Sequence, residues 1–183
     1  MTGLATWGFA ALFVLVLVGW HLSYTAARLD RLHVRLSGTL AALDAQLVRR
    51  AEASVELANS GLLDGATALL LADAAAAALE APHESGEQRE LVESDLTEAL
   101  DVALTDEVVA GLEASGLLGQ DYLGRLRSAC TRVQLARRFH NDAVTDVRRV
   151  RRAWVVRVFH LAGHTPLPGT VEFADEAPTR LGA

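Results

Sequence analysis

The segment that most constrains this chain is its apolar run LATWGFAALFVLVLVGW, residues 4–20, which contains no charged side chain. A helix needs about 20 mostly apolar residues to cross a hydrocarbon core of roughly 30 Å. The first charge after the run comes only at Arg28. Aromatic rings, which favour the two membrane–water interfaces, flank the run at Trp7, Trp20 and Tyr24. The run predicts a transmembrane anchor over residues 1–23.

Two other interpretations of the run compete with an anchor. A cleaved signal peptide would use Thr25, Ala26 and Ala27 as a weak cleavage site, but no Lys or Arg precedes the run, which is also longer than a usual signal-peptide core. A buried helix of a soluble protein would need apolar neighbours on every side, and a chain of 183 residues offers few. We therefore favour an uncleaved membrane helix.

The charges next to the run predict the orientation of the anchor. Arg28, Arg31 and Arg35 follow it, against one acidic residue, Asp30, while no charged side chain precedes it. Positively charged flanks stay on the cytoplasmic side of a membrane. The chain is therefore predicted to be a single-pass protein of the cell membrane, with its N-terminus outside and the rest in the cytoplasm.

The chain from residue 24 to about residue 162 has helical patterning. Its apolar content comes mostly from Leu, Ala and Val, and Leu and Ala are strong helix formers. Beyond the anchor an apolar stripe recurs at steps of three and four, as in a coiled coil, at Leu29, Leu32, Leu36, Leu40, Leu43 and Leu47. An alanine-rich helix, an acidic helix and a last helix from about Asp121 follow. These patterns predict an all-α fold, in which the N-terminal transmembrane helix continues into a long antiparallel bundle of about four helices over residues 24–162.

The last part of the chain lacks periodicity. It reads TPLPGTVEFADEAPTRLGA and contains three prolines. This composition predicts a flexible, acidic tail over residues 163–183. The single cysteine, Cys130, excludes an internal disulfide, and we interpret it as a small apolar core residue.

Positive charge is concentrated near the end of the last helix, although the chain has a formal net charge of -6. A last helix that starts near Asp121 and runs antiparallel to the first returns to the level of the membrane near Trp154, counting 1.5 Å per residue. Its arginines are then predicted to contact anionic lipid headgroups. A solvated face that pairs with the acidic helix is the other leading interpretation, and the two can both hold; nucleic acid is least favoured, because no known module is present. The predicted membrane-surface residues are Arg28, Arg31, Arg35, Arg148, Arg149, Arg151, Arg152, Trp154 and Arg157.

Polar residues on the apolar stripe of the last helix predict a hydrogen bond between helices. His140 lies on that stripe, and Asn141 comes level with Ser37 and Thr39 of the first helix. A histidine on an apolar face is more often a core residue than a metal ligand when no second ligand lies four residues away. We therefore predict an interhelical polar core of His140, Asn141 and Ser37, with no metal and no cofactor. The pair His160 and His164 is interrupted by Gly163 and predicts no metal site either.

One enzyme signature is partly present. Residues 89–93, RELVE, match part of the Nudix box of metal-dependent nucleoside diphosphate hydrolases. That box also needs glutamates and glycines at positions that are occupied here by Ser94, Leu96, Ala75 and Ala81. The signature fails, and neither an enzymatic activity nor a small-molecule substrate is predicted.

Two segments resemble a known family. Residues 43–50, LDAQLVRR, resemble the first-helix motif (I/V)DxQLxRR of the LemA family, and residues 136–144, ARRFHNDAV, resemble its last-helix motif ARxxYNDAV. Members of that family have an N-terminal membrane helix and a helical bundle, and their molecular role is poorly defined. The resemblance thus implies a fold and not a reaction. The chain departs from the family at His140, which replaces a tyrosine, and in its middle helices.

These features together predict a non-enzymatic adaptor or scaffold on a membrane. Its expected partners are membrane lipid and either another protein or a second copy of the chain, and nucleic acid is not expected. An exported or surface interaction module is the alternative, and the two hypotheses differ in topology.

Overall fold

The computed structural model describes residues 2–81, 86–159, 161, 163, 166–178 and 180, with side chains from Trp7 onward. Over these residues the protein is helical and contains no strand, which confirms the predicted all-α class with a long N-terminal helix and a helical bundle. The described helices are α1 Thr2–Ala58, α2 Gly65–Glu80, α3 Gly86–Ala103, α4 Asp106–Ala114, α5 Leu117–Arg151 and α6 Trp154–Val158.

Helix α1 runs without a break from the apolar run into the leucine stripe. It ends at Ala58, just before Asn59, Ser60 and Gly61, and Gly61 adopts a left-handed conformation with φ +74°. A residue with a β-carbon is strained at such a φ, whereas glycine is not. Helix α2 begins after Asp64, whose side chain accepts hydrogen bonds from the backbone N–H groups of Ala66 and Thr67. This capping satisfies two of the N–H groups that have no partner inside the helix.

The structure has more helices than the predicted number of about four, because two predicted helices are each divided. The acidic helix is interrupted at Leu104 and Thr105, where the Thr105 hydroxyl accepts a hydrogen bond from Val108 N and caps α4. The last helix stops at Arg151, and extended backbone at Ala153 separates it from α6. Apolar periodicity continues across both breaks, so it did not reveal them.

The chain divides into two compact units, each built from two stretches of sequence. Unit 1 comprises residues 1–38 and 142–169, and unit 2 comprises residues 39–141 and 170–183. In unit 2, α1 packs against α2 and α5. The core there joins residues of all five helices from α1 to α5, and among its members are Leu57, Leu71, Leu96, Leu100 and Leu126, each at most 1% exposed. Burial of each such leucine contributes about 1.5–3 kcal/mol, so this core is the main source of stability in unit 2.

Unit 1 has a small interior and a large apolar exterior. Its buried residues include Leu29 of α1, Val144 and Val147 of α5, and Val156 of α6. The apolar run of α1 is exposed instead. Among the described residues of unit 1, the buried apolar side chains thus belong to the middle of α1, the end of α5 and α6, while the apolar run of α1 is exposed.

Part of the predicted flexible tail is packed. Residues 170–178, called here the docked segment, have no helix or strand but lie against the helices of unit 2, to which they belong, and Phe173 and Asp175 are both buried. Composition did not reveal this packing, because it reports the missing periodicity of helices but not the hydrogen bonds that an extended segment can make with side chains. The flexibility of the tail stays a prediction. Residues 164, 165, 179 and 181–183 of the predicted tail lie outside the described residues.

Candidate functional sites

Helix α1 is long and apolar enough to cross a membrane. Every large apolar side chain from residue 7 to residue 18 is exposed, from 42% at Val18 to 77% at Trp7. Since these residues are mostly consecutive in the sequence, they cover all sides of the helix rather than one stripe. An apolar surface of this size is rare on a soluble monomer and is typical of a surface that contacts lipid or another protein.

The charges of the two units are opposite in sign. Unit 1 contains eight of the 17 arginines and three of the 23 acidic residues, which gives a formal charge of +5. Unit 2 contains the other nine arginines and 20 acidic residues, which gives -11. The apolar exterior of α1 and an excess of positive charge thus belong to the same unit.

The structure brings all nine predicted membrane-surface residues together in unit 1. Two of the arginines are half-buried: Arg148 donates to the Pro168 carbonyl at 2.9 Å and Arg151 to the Pro166 carbonyl at 2.8 Å. The remaining ones are exposed, and Trp154 is 71% exposed. The exposed arginines of the set are Arg28, Arg31, Arg35, Arg149, Arg152 and Arg157.

The start of helix α6 lies near the level of Arg28, the first arginine of α1. Arg35 Nη1 is 3.4 Å from Asp146 Oδ2, which fixes the register of α1 against α5 in unit 1. Helix α5 ends five residues after Asp146, at Arg151, a rise of about 7–8 Å along the antiparallel α1. Trp154 therefore comes close to the level where the uncharged part of α1 gives way to its first arginine.

The predicted polar core is only partly assembled as expected. His140 is 3% exposed, and its Nδ1 lies 3.4 Å from the Thr39 hydroxyl of α1. Asn141 instead bonds the docked segment, and Ser37 donates to the His33 carbonyl of its own helix at 3.1 Å. Burial lowers the pKa of His140, because removal from water penalises its charged form.

A buried cluster of charges, which sequence reasoning missed, joins α1 to α3. Arg50 and Glu93 have side chains only 2% and 0% exposed, and Arg50 Nη2 lies 2.7 Å from Glu93 Oε2. Arg50 also donates to the Thr97 hydroxyl at 2.9 Å. Arg89 Nε lies 3.0 Å from the second carboxylate oxygen of Glu93. Position 50 continues the leucine stripe of α1, three residues after Leu47. An arginine on this buried stripe was the sequence feature that indicated an ion pair in the core, because a buried charge requires a partner.

The same cluster extends to the docked segment through Phe173 and Asp175. The Phe173 ring lies between two guanidinium groups, 5.9 Å from that of Arg50 and 5.6 Å from that of Arg137. Asp175 accepts two hydrogen bonds from Arg137, at 2.6 and 2.8 Å. These are a bidentate ion pair and two cation–π contacts, both of which strengthen away from water.

The two motifs that resemble the LemA family contribute most of these contacts. From the first motif, Asp44 pairs with Arg89 at 3.4 Å, Leu47 is buried and Arg50 pairs with Glu93. From the second, Arg137 and Asn141 hold the docked segment, and Ala143 and Val144 are buried. The motif residues therefore stabilise the fold of this chain and hold its docked segment.

The residues that an enzyme of Nudix type would use have other partners. Glu93 is enclosed between Arg50 and Arg89, and Glu90 Oε1 accepts a hydrogen bond from the backbone of Glu172 at 2.9 Å. Within the described ranges no three His, Cys, Asp or Glu side chains are grouped so as to hold a metal ion. Cys130 is buried, and this burial raises the pKa of its thiol above its usual range. His160 and His164 lie outside the described residues.

Comparison with known proteins adds no relative: no family model, curated protein or solved structure matches the chain.

Proposed function

We propose that the protein is a single-pass membrane protein whose helical bundle faces the cytoplasm and acts as an adaptor or scaffold. One observation carries this proposal: the exposed apolar run of α1, the arginine excess and the exposed Trp154 all belong to unit 1. A surface with this combination suits the boundary between hydrocarbon and headgroups, where aromatic rings and basic side chains are both stable.

Electrostatics favour contact of unit 1 with an anionic leaflet. A basic residue near such a leaflet contributes about 1 kcal/mol, and the attraction extends over about one Debye length. The charge of unit 2, -11, opposes its own approach to the same surface. The arginines after the anchor would accordingly rest on lipid headgroups, with the acidic bundle presented to other proteins.

A non-enzymatic role is supported by how the bundle uses its charged side chains. The buried carboxylate of Glu93 is neutralised by arginines rather than aimed into a cavity. We further propose that the chain is a divergent relative of the LemA family, because the residues shared with both family motifs hold this fold together.

Topology is the experiment that tests this proposal. Cys130 is replaced by Ser and a single cysteine is placed at Ala183, and intact cells are treated with a membrane-impermeant thiol reagent. We expect protection until the cells are lysed. A matched protein with its single cysteine at Thr2 should label in intact cells. Labelling at position 183 in intact cells would reject the cytoplasmic bundle and favour an exported interaction module.

A further inference from the structure

The docked segment is bound in the manner of a peptide ligand. It is extended, and its side chains alternate: Phe173 and Asp175 are buried, whereas Glu172, Ala174 and Glu176 are exposed. An extended chain presents successive side chains to opposite faces, so every second residue reaches unit 2. Beyond Glu176 the alternation ends, because Ala177 packs, partly buried, against the main core of unit 2 and Pro178 is buried as well.

The helices of unit 2 bind the backbone of this segment with side chains. Asn141 forms two hydrogen bonds with the backbone of Val171. Asn141 Nδ2 donates to the Val171 carbonyl at 3.0 Å, and Asn141 Oδ1 accepts from the Val171 N–H at 2.9 Å. Ser94 Oγ accepts from Ala174 N at 3.1 Å, and Thr97 donates to the Ala174 carbonyl at 2.6 Å.

Further along the segment, Gln134 donates to the Asp175 carbonyl at 2.7 Å. A helix has no free backbone edge to pair with an extended chain, because its own N–H and C=O groups are used internally. The polar side chains of α3 and α5 replace that edge. Such bonds are independent of the side chains of the occupant, as in the recognition of extended peptides along a sheet.

Specificity comes from the two inward positions. Phe173 fills the space between the guanidinium groups of Arg50 and Arg137, and Asp175 neutralises Arg137. Without the segment, Arg50 and Arg89 keep their ion pairs with Glu93 and Asp44, whereas Arg137 loses its carboxylate. The empty groove would therefore expose the guanidinium of Arg137 and would favour an aromatic side chain followed, two residues later, by a carboxylate.

We propose that the groove between α1, α3 and α5 is a binding site for an extended partner segment with an aromatic-x-acidic pattern, and that residues 170–178 are its built-in occupant. The proposal deepens the adaptor function proposed above and rests on it, since it names the surface and the chemistry through which the bundle binds a protein. The tethered occupant competes with the partner and keeps the site closed until it is displaced.

The test separates the occupant from the groove after folding. A protease site is inserted between Gly169 and Thr170 of the full-length chain in detergent micelles, the folded protein is cut, and a dye-labelled synthetic peptide of residues 168–178 is added. We expect saturable binding by fluorescence anisotropy to the cut protein. The uncut protein should bind at least about tenfold more weakly, because its tethered segment acts at high effective concentration.

Two controls make the result specific. An unlabelled peptide with Phe173→Ala and Asp175→Asn should compete at least about tenfold more weakly than the natural peptide, since it keeps the backbone bonds but loses the two inward contacts. The uncut Phe173→Ala protein, in which the occupant is loosened without a cut, should take up the natural peptide more readily than the uncut parent.

Three results would overturn the proposal. In the first, the cut protein takes up no peptide although its helical circular dichroism and the protection of Cys130 are intact. In the second, both peptides compete equally. In the third, light scattering shows that the uncut protein is a dimer, which would make the segment of a second copy the occupant. None of these results depends on membrane topology, so failure of the groove and failure of the cytoplasmic anchor are distinguishable.

Discussion

At the scale of single residues, the bundle is organised around buried charge rather than apolar contacts alone. Arg50, Arg89 and Glu93 lie in the interior, where Glu93 forms ion pairs with both arginines. Replacement of a complete buried pair by apolar residues is often neutral for stability, but removal of one partner is costly because the other charge stays buried. Such a cluster specifies which helix faces pair, because any other register would leave a charge without its partner.

Arg50→Met should therefore destabilise the bundle by about 3–5 kcal/mol, since it leaves the Glu93 carboxylate without its closest partner. Cys130, the single cysteine, is buried and reports unfolding through its reaction with a thiol reagent at increasing urea. The matched control is Arg125→Met, which removes an exposed pair with Asp121 and Glu56 and should cost much less because water screens it. Equal losses in the two variants would contradict a dominant role for the buried cluster.

The stability of the fold should also fall in mild acid because of His140. Burial lowers the folded-state pKa of His140 below its ordinary value of 6.5, so the unfolded chain binds its proton more readily. His140 therefore lowers the free energy of unfolding only as the pH falls through about 6.5, and this loss grows toward the folded-state pKa. Between pH about 7.5 and about 5.5 the urea midpoint should therefore drop less in His140→Gln than in the parent.

At the scale of helices, the existence of α1, α2 and α5 could be predicted, but not where the long patterns break. Apolar periodicity records which face is buried, and that face continues across Thr105 and Ala153, where the backbone leaves the helix. The docked segment could have been found from the alternation of Val171, Phe173 and Asp175. The buried partner of Arg50 could not, because it lies 43 residues away on another helix.

The turn between α4 and α5 depends on a close approach at Gly119. A β-carbon there would meet the Leu112 carbonyl oxygen and the Ser115 hydroxyl, whereas a β-carbon at Gly124 of the same helix meets nothing within 4 Å. Gly119→Ala should cost about 1–3 kcal/mol because backbone has to move. Gly124→Ala should instead stabilise the protein by about 0.5–1 kcal/mol, since alanine is the better helix former. Urea midpoints that change in the same direction would contradict the observed packing of the turn.

At the scale of the whole molecule, the two units differ in what their surfaces favour. Unit 1 combines exposed apolar residues with positive charge, and unit 2 is strongly acidic. This division was visible in the sequence as the arginine-rich stretch before Trp154. The structure places the arginines that follow the apolar run of α1 in the same unit.

A chain without residues 1–23 should be soluble and helical by circular dichroism, and should still bind phosphatidylserine vesicles through its arginines. The triple variant Arg149→Gln, Arg152→Gln, Arg157→Gln should bind about 100-fold more weakly, at about 1 kcal/mol for each residue. The matched triple Arg49→Gln, Arg132→Gln, Arg138→Gln removes the same charge from exposed positions of unit 2 and should change little. Co-sedimentation with the vesicles at low and high salt measures the binding of both triple variants. Equally weakened binding of the two variants would indicate a non-specific effect of net charge.

The docked segment is synthesised after the residues that bind it. Asn141 is made 30 residues before its bonding partner Val171, and at 5–20 residues per second this delay is roughly 2–6 s. During that interval the residues that line the groove have been synthesised, while those of the occupant have not. A newly synthesised chain thus passes through a short interval in which a matching segment of another protein meets no competing occupant. A partner can then bind during synthesis, without having to displace the docked segment later.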